Sequence, residues 1–472
     1  MRTGFTQSYP QKLCMIFGRS VSLHSIGICL CDDSGRKSSH GDFHPDRMPL
    51  TRFVARLEQS LLRAWFPDTL RWQSPMRCSE GNSAQRRNLQ SAAVPNHAGL
   101  AQAVEPSGPL IRVCVWLLTR SWLGQLASLL TARIAARRRA KRVINPCQRP
   151  PVVVIGNLVV GGSGKTPLVI ALAQALKQRG LSIAVLCSGY GGKREGLLRR
   201  DLLDDPSMAW NAGWSDEAIL LAMASDCDVA VARDRRAALA LCLQAGPDLV
   251  LSDDGLQHHR LERAMEVLLV DARGLGNRRC LPAGPLREPL RDRQSSDWLL
   301  QFTGPETEGR TEANHAAEFG LGQDPKALSA SDDGGLQQLA KRRALVAEPL
   351  LTVLERAAWL AGEPSGIDLA DFAKRLAGSR LLGVAGIAQA AALAASCAAQ
   401  GLEIDWHFPG DHQAIDLAQL MHDSVAAIVM TAKDAVKYGI QPVPVYVLVK
   451  TVIAPESLCL ELERIARGQP TA

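Results

Sequence analysis

The sequence predicts an α/β protein in which a doubly wound parallel sheet is followed by a second, smaller α/β domain. Short apolar, β-branched runs alternate with helical patterns from residue 152 to about residue 300, and the alternation returns after residue 346. Clusters of glycines or acidic residues follow several of these runs. Parallel sheets of this kind bind ligands beyond the carboxyl ends of their strands, so these clusters lie where a binding site is expected.

The first predicted strand, at 152–155, leads into a glycine-rich turn and then into a helix that begins near Lys165 and Thr166. Backbone N–H groups of such a turn cradle a phosphate group, Lys165 reaches the β- and γ-phosphates, and the Thr166 hydroxyl binds Mg²⁺. The alternative is a turn that binds no ligand. That interpretation leaves the Lys-Thr pair unexplained, because the pair has no packing role. Val159 occupies a position that is usually glycine. The turn comprises Val159, Val160, Gly161, Gly162, Ser163 and Gly164.

Two acidic clusters lie in the same region. Asp253 and Asp254 come directly after an apolar run at 248–252, and an acidic strand end downstream of a phosphate loop supplies a partner for Mg²⁺. Two adjacent acids are costly to place together unless a cation lies between them. A plain turn at Asp254 is the alternative. Asp216 precedes an apolar helix, where capping of the helix is the alternative to a chemical role.

Three further clusters contain candidate site residues. A loop rich in proline and glycine presents Arg287 and Glu288. In the second domain, His412 and Lys433 each follow an apolar strand. Taken singly, each of these residues is explained as well by a structural role, so only their combination is informative.

Basic residues are concentrated in the N-terminal third of the chain. Residues 1–150 carry a net charge of +14 within a chain total of +7, so the remainder carries −7. An apolar helical face with Trp is predicted within 110–142 and ends in six basic residues, which is typical of an interfacial membrane helix. Arg112 and Arg120 argue against a transmembrane span. Packing of this helix on its own domain is the alternative, and the lack of interleaved aromatic residues argues against nucleic acid.

These patterns divide the chain into five regions. We expect a poorly ordered extension at 1–47, with Met48 as the start of the functional protein. The other regions are amphipathic helices at 48–148 with an inserted loop near 76–108, a phosphate-loop core at 149–302, an irregular insertion or linker at 303–345, and a C-terminal α/β subdomain at 346–472. The twelve cysteines include no C-x-x-C pair and match no common zinc spacing, which favours reduced thiols.

Several runs of sequence, taken in their order, point to one family. They are G-N-L-V-V-G-G-S-G-K-T-P, S-G-Y-G-G, S-D-E-A, D-D-G-L-Q-H-H-R-L, L-P-A-G-P-L-R-E-P, Asp-His after a Phe, and T-A-K-D-A-V-K. In these runs the chain resembles the tetraacyldisaccharide 4'-kinases of lipid A biosynthesis, from roughly Met48 to the C-terminus without the two loop regions. The resemblance implies a P-loop NTPase-like core that transfers the γ-phosphate of ATP to the 4'-hydroxyl of a lipid-linked disaccharide 1-phosphate.

The resemblance also implies a cellular location and roles for individual residues. It implies a peripheral protein on the cytoplasmic face of the bacterial inner membrane, on an anionic surface, and no obligate protein partner is evident. Asp216 would act as base toward the sugar hydroxyl, assisted by His412, and Arg287 would offset charge on the transferred phosphoryl group. The phosphate loop with Lys165 would bind ATP. The Mg²⁺ and nucleotide shell would comprise Thr166, Asp253, Asp254, Gln257 and Glu288.

Four departures from the family pattern concern substrate contacts and the second domain. They are Ser188 in place of an Arg, Ala388-Gln389 in place of Gly-Asn, Gln413 in place of a second His with Gly410 inserted, and Ala432 in place of a Glu. These departures leave open a catalytically inactive, membrane-bound nucleotide-binding protein. A nucleotide-binding regulatory switch is a further alternative. It requires a base-reading N-K-x-D motif, to which Thr431-Ala432-Lys433-Asp434 is the nearest approach.

Overall fold

The structure is a computed structural model that describes most of the chain from residue 109 onward. The described residues are Leu57, Ser60, Leu61, Ala64, Trp65, 109–145, 149–162, 164–271, 273–290, 296–303, 340–347, 350–363, 366–387, 389–410, 412–421 and 424–469. The predicted extension at 1–47, the start at Met48 and the loop near 76–108 lie outside them, as do Ser163 and Ala388.

The described residues form two compact units. The N-terminal unit contains the residues up to Arg137 together with the segment Leu275–Pro289. The larger unit contains Arg138–Gly274 and the described residues from 290 onward.

The N-terminal unit contains helix α1 (Pro109–Thr119) and, up to Arg137, helix α2 (Trp122–Arg139). The sequence pattern predicted a single helical stretch over 110–142, and the structure breaks it at Ser121 because this side chain starts the second helix. Its hydroxyl accepts a hydrogen bond from the backbone N–H of Gly124 (3.2 Å). Among the described residues, no helix is both long enough and apolar enough to cross a membrane.

The loop at Leu275–Pro289 is held within the N-terminal unit by bonds to backbone carbonyls. The Trp65 indole donates to the carbonyl of Pro282 (3.2 Å), and the Ser128 hydroxyl donates to that of Cys280 (2.7 Å). Arg287 and Glu288 are therefore carried on a loop that is fixed by these helical residues.

The larger unit is built on an eight-stranded sheet. Its strands are β1 (Val152–Asn157), β2 (Ile183–Cys187), β3 (Gly196–Leu198), β4 (Asp228–Val231), β5 (Leu249–Ser252), β6 (Met265–Val270), β7 (Ser296–Thr303) and β8 (Ala340–Ala347). They lie in the order β3-β4-β2-β5-β1-β6-β7-β8, and only β3 pairs antiparallel. Because β1 lies between β5 and β6, all six of its residues are buried, as its apolar sequence predicts.

Helices cover this sheet. They are α3 (Lys165–Gln178), α4 (Pro206–Asn211), α5 (Asp216–Ser225) and α6 (Arg235–Cys242), with short 3₁₀ turns at Arg200–Leu202 and Leu243–Ala245. Helix α3 buries an apolar stripe at i, i+4 and i+8 that includes Leu168, Leu172 and Leu176. The phosphate loop and α5 therefore begin at the carboxyl edge of a rigid sheet.

A second, six-stranded sheet follows in the same unit. Its strands are β9 (Leu350–Glu355), β10 (Ile367–Asp368), β11 (Leu381–Val384), β12 (Ile404–His407), β13 (Ala427–Thr431) and β14 (Val445–Thr451), in the order β10-β9-β14-β13-β11-β12. Its helices are α7 (Arg356–Leu360), α8 (Leu369–Arg375), α9 (Ala390–Ala399), α10 (Ala432–Ala435) and α11 (Glu456–Ala466), and a 3₁₀ turn lies at Leu417–Gln419. The predicted doubly wound sheet with a smaller α/β sheet after it is confirmed.

One strand lies in a range that the sequence pattern describes as irregular. Strand β8 occupies Ala340–Ala347, across the end of the 303–345 region. The charged residues of β8 interrupt the apolar pattern by which a strand is predicted. They are tolerated in the strand because they pair with residues that the sequence alone does not identify. The Lys341 ammonium lies 2.9 Å from Asp297 of β7, and Arg342 pairs with Glu461 of α11.

Candidate active site

The phosphate loop connects β1 to α3 and depends on glycine at its last position. Gly164 caps α3 in the left-handed conformation (φ 78°), and a side chain there would lie 2.7 Å from the Phe302 ring. The carbonyl of Gly162 accepts hydrogen bonds from Arg273 and from Gln389, each at 3.1 Å. Two side chains, one from the segment after β6 and one from the segment after β11, therefore hold the loop.

The Lys165 ammonium is positioned by two oxygen atoms. It lies 3.0 Å from Oδ1 of Asn157, the last residue of β1, and 3.6 Å from Oδ1 of Asp254. The Gln257 amide in turn donates to the carbonyl of Asn157 (3.2 Å). The structure thus brings together Lys165, Asp254 and Gln257, which were predicted from the sequence, through an asparagine that was not.

Asp253 and Thr166 form the second contact beside the loop. The Thr166 hydroxyl lies 2.9 Å from Oδ2 of Asp253. Within the described part of the chain, Oδ1 of Asp253 is buried and accepts no hydrogen bond. Burial, reinforced by the negative charges of Glu217 and Asp254, raises the pKa of Asp253 to about 6. A carboxylate in this setting favours a nearby cation.

Asp216 is the first residue of α5 and is fully buried. Ser215 caps this helix, since its hydroxyl accepts from the backbone N–H of Ala218 (3.2 Å). The carboxylate of Asp216 accepts from the backbone N–H of Glu217 (2.9 Å) and lies 2.7 Å, through the same Oδ1, from Nδ1 of His412. The helix therefore has its cap without Asp216, whose carboxylate is paired with a histidine from the second sheet region.

Two lysines surround the Asp216–His412 pair. The Lys437 ammonium lies 3.4 Å from Oδ2 of Asp216 and 2.8 Å from Asp434, and all three side chains are buried. Lys433 lies 3.0 Å from Glu217. Burial alone would raise the pKa of Asp216, but the hydrogen bond from His412 and the charges of the lysines outweigh it and hold the pKa below its ordinary value. Asp216 is therefore ionised at neutral pH.

The position of His412 depends on a glycine of the Ser-Gly-Tyr-Gly-Gly run. A Cβ at Gly191, which has φ 84°, would lie 2.3 Å from the imidazole ring. The Tyr190 ring meets the imidazole edge-on at 5.1 Å between centroids. His412 itself has a positive φ of 60°. A backbone held in this uncommon region beside a buried carboxylate is typical of a functional site.

Not every predicted site residue lies in the larger unit. Arg287 and Glu288 belong to the N-terminal unit, and their assigned roles stay predictions from the resemblance. No role was predicted from the sequence for Asn157, Lys437 or Arg273. The first two stand inside the quoted runs G-N-L and T-A-K-D-A-V-K, so the runs themselves were the available signal.

Comparison with known proteins identifies the family. The model of the tetraacyldisaccharide-1-P 4'-kinase family matches residues 119–465, which is more than half of the chain. The chain belongs to this family. The match contains the phosphate loop, Asp216, the acidic pair and His412, and the resemblance inferred from the sequence is confirmed.

Individual relatives agree with this assignment. The tetraacyldisaccharide 4'-kinase of Alcanivorax borkumensis is 44% identical over 194 residues, which is 40% of this chain and 58% of that protein. The enzyme of the same name from Pseudomonas putida is 37% identical over 319 residues, 65% of this chain and 81% of that protein. The matches to three of the relatives cover 58%, 52% and 54% of their length, so the chain spans little more than half of those proteins.

A solved structure supports the fold. LpxK from Aquifex aeolicus, determined in complex with ATP, superposes with a TM-score of 0.52 at 24% identity and covers 72% of this chain and 96% of that chain. This likeness confirms the predicted α/β fold of the family member described here.

Proposed function

We propose that the chain is an ATP-dependent kinase that phosphorylates the 4'-hydroxyl of a tetraacyldisaccharide 1-phosphate, a lipid A precursor, and forms the 1,4'-bisphosphate. The observation that carries the proposal is the buried Asp216–His412 pair, 2.7 Å apart, in the same unit as the phosphate loop. Membership of the tetraacyldisaccharide-1-P 4'-kinase family and the ATP bound to the Aquifex LpxK structure support it.

Asp216 accepts the proton of the acceptor hydroxyl in this proposal. Its pKa lies below the ordinary value, so the carboxylate is ionised and available at neutral pH. Such a carboxylate is a weak base, which suits phosphoryl transfer because the loose transition state needs positioning more than strong deprotonation. His412 orients the carboxylate through Nδ1, and Lys437 offsets its charge.

The phosphate loop and its neighbours bind the nucleotide. Lys165 contacts the β- and γ-phosphates, and the N-terminus of α3 adds backbone N–H groups. The residues present fit Mg²⁺, because the Thr166 hydroxyl contacts Oδ2 of Asp253, whose buried Oδ1 accepts no hydrogen bond from the described residues. Thr166 and Asp253 would hold the ion, with Asp254 and Gln257 beside them. When bound, Mg²⁺ neutralises charge on the β- and γ-phosphate oxygens.

The N-terminal helices are proposed to bind the cytoplasmic face of the bacterial inner membrane. Their apolar side chains are exposed instead of buried, most of all Trp122 at 73% and Leu129 at 63%. Arg133, Arg137 and Arg138 are exposed at the end of α2, whereas Arg139 is buried. Alanine at the three exposed arginines should release the protein from anionic vesicles at moderate salt, and unchanged sedimentation would argue for packing.

A regulatory switch is less well supported. Asp434, the aspartate of the Thr-Ala-Lys-Asp run, accepts hydrogen bonds from the Gly386 backbone (2.8 Å) and Thr431 (2.5 Å), and pairs with Lys437. A buried carboxylate with all these partners is unsuited to reading a nucleotide base.

The proposed function is tested with ATP labelled at the γ-phosphate and a tetraacyldisaccharide 1-phosphate in detergent micelles. We expect label on the 4'-oxygen of the acceptor, identified by mass spectrometry, and loss of labelling in Lys165→Met. ATP hydrolysis that does not depend on the acceptor would support the switch. Nucleotide binding without any turnover would support the inactive binding protein.

A further inference from the structure

A loop carrying two basic residues is fixed against the start of α5. The backbone N–H groups of Lys193 and Arg194 both donate to the carbonyl of Gly213, at 2.8 and 2.9 Å. Gly192 makes this approach possible, since a Cβ there would lie 2.7 Å from the backbone nitrogen of Ser215. The two basic residues are therefore held beside the turn that presents Asp216.

The charges of these two residues are not neutralised locally. Both side chains are exposed, and in the described parts of the chain neither pairs with a carboxylate. Arg200 pairs with Asp226 and Arg199 with Asp201 in the adjoining segment. Unpaired positive charge is thus concentrated at Lys193 and Arg194, although neighbouring arginines have partners.

The guanidinium of Arg194 is partly ordered before any ligand binds. It lies over the ring of Trp214, 4.9 Å from the centroid, and Trp214 is itself buried. A guanidinium held in one place presents its fork of N–H donors at a lower entropic cost. An ammonium beside it adds a second donor, and the pair matches the two or three charged oxygens of a phosphate monoester.

We propose that Lys193 and Arg194 bind the phosphate monoester that the acceptor already carries, the 1-phosphate that is not transferred. This inference rests on the proposed function, because it assumes that Asp216 faces the acceptor hydroxyl. The nucleotide phosphates have their own cation in Lys165 on the phosphate loop. The Lys193–Arg194 pair is held instead beside Gly213, on the turn that precedes Asp216, so it is placed for the acceptor.

The binding of this phosphate should appear in KM. With the 1-phosphorylated acceptor, Lys193→Ala/Arg194→Ala should raise KM roughly 10- to 100-fold, as expected for lost charge-assisted hydrogen bonds, and leave kcat unchanged. With the acceptor lacking the 1-phosphate, the double variant should behave as the wild type. Arg199→Ala/Arg236→Ala is the matched control, because it removes the same charge from two exposed, paired arginines.

Direct binding separates failure of this inference from failure of the proposed function. The dissociation constants of both acceptors are measured without ATP, so the comparison does not require turnover. A double variant that still prefers the 1-phosphorylated acceptor as strongly as the wild type overturns the inference, even if the kinase is active. A kinase that phosphorylates neither acceptor, but whose binding preference is lost in the double variant, overturns the proposed function and keeps the phosphate site.

A lipid headgroup offers the same chemistry and is distinguished with vesicles. Sedimentation is compared on vesicles of phosphatidylglycerol and of phosphatidylcholine. If the double variant loses binding to the anionic vesicles while its preference for the 1-phosphorylated acceptor in micelles is intact, the two residues bind a headgroup and the inference is wrong. Unchanged sedimentation together with a lost preference supports the acceptor phosphate.

Discussion

Two buried carboxylates of the larger unit, Asp216 and Asp253, differ in charge environment although both are almost inaccessible, at 0% and 5% exposure. Asp216 begins a helix and has a histidine and a lysine at its oxygens. Asp253 follows a strand, accepts one bond from a threonine and has acidic neighbours. The pKa of the first is lowered, and the pKa of the second is raised to about 6.

The difference shows that burial does not decide what a carboxylate can do. Burial disfavours the charged form in both cases, and only the counter-charges supplied by the chain differ. Asp216 has a histidine at Oδ1 and a lysine near Oδ2, and these groups offset its negative charge. At Asp253 the hydrogen bond from Thr166 and the charge of Lys165 do not outweigh burial and two acidic neighbours, so its surroundings favour a further cation.

The largest effect is expected from Asp216→Asn. An amide cannot take the hydroxyl proton, so phosphoryl transfer should fall by roughly 10²–10⁴-fold while ATP binding is kept. The measurement is single-turnover transfer at saturating ATP. Asp234→Asn is the control, because Asp234 caps α6 through its side chain and Asn caps a helix equally well. Near-normal transfer by Asp216→Asn would mean that another residue accepts the hydroxyl proton.

The second prediction concerns stability and has opposite signs at the two sites. The folded state raises the pKa of Asp253 to about 6. Ionisation of this group therefore lowers the free energy of unfolding as pH rises from about 4 to 6, and the loss stays constant above pH 6. Asp253→Asn should therefore stabilise the metal-free protein at pH 8, by on the order of 1–3 kcal/mol, and have no effect near pH 4.

Asp216 should show the reverse behaviour. Its pKa is lowered on folding, so its contribution is present above the ordinary aspartate pKa and is lost as pH falls through the folded value. Asp216→Asn should therefore lower Tm at pH 8, where Asp253→Asn raises it. Chemical denaturation and calorimetry at pH 4 and pH 8, without divalent cations, compare both variants. Equal signs at pH 8 would contradict the contrast drawn here.

The third prediction concerns a substitution that displaces His412, the partner of Asp216, and leaves Asp216 itself unchanged. In Gly191→Ala the new methyl group would meet the His412 ring at 2.3 Å, so the ring must move and transfer should fall roughly 10- to 10²-fold. Gly246→Ala has a similar positive φ (61°) but meets nothing within 4 Å, so it controls for backbone strain. If both variants lose the same activity, the histidine does not position the carboxylate.

The sequence predicts where the two carboxylates lie better than it predicts the groups that surround them. The strand that ends just before Asp253 and the helix that starts at Asp216 follow from runs of buried β-branched and apolar residues, which report local structure directly. The counter-charges do not follow, because His412 and Lys437 reach Asp216 from about 200 residues away. Strand β8 is missed for a related reason, since Lys341 and Arg342 pair with Asp297 and Glu461, which are distant in sequence.

The smallest effect is expected from Lys433→Met. This substitution removes one positive charge near Asp216, so the charge environment of Asp216 becomes slightly more like that of Asp253. The charge of Lys433 is one of the causes that lower the pKa of Asp216, although its ammonium pairs with Glu217. Removing it should move the acid limb of the pH dependence of kcat/KM upward by less than about one unit, with little change in the plateau. Lys374→Met, which breaks the exposed pair with Asp371, should leave the limb unchanged. A shift of the limb to lower pH, or none beyond that of the control, would mean that Lys433 does not help to hold Asp216 ionised, and the contrast with Asp253 would then rest on His412 and Lys437.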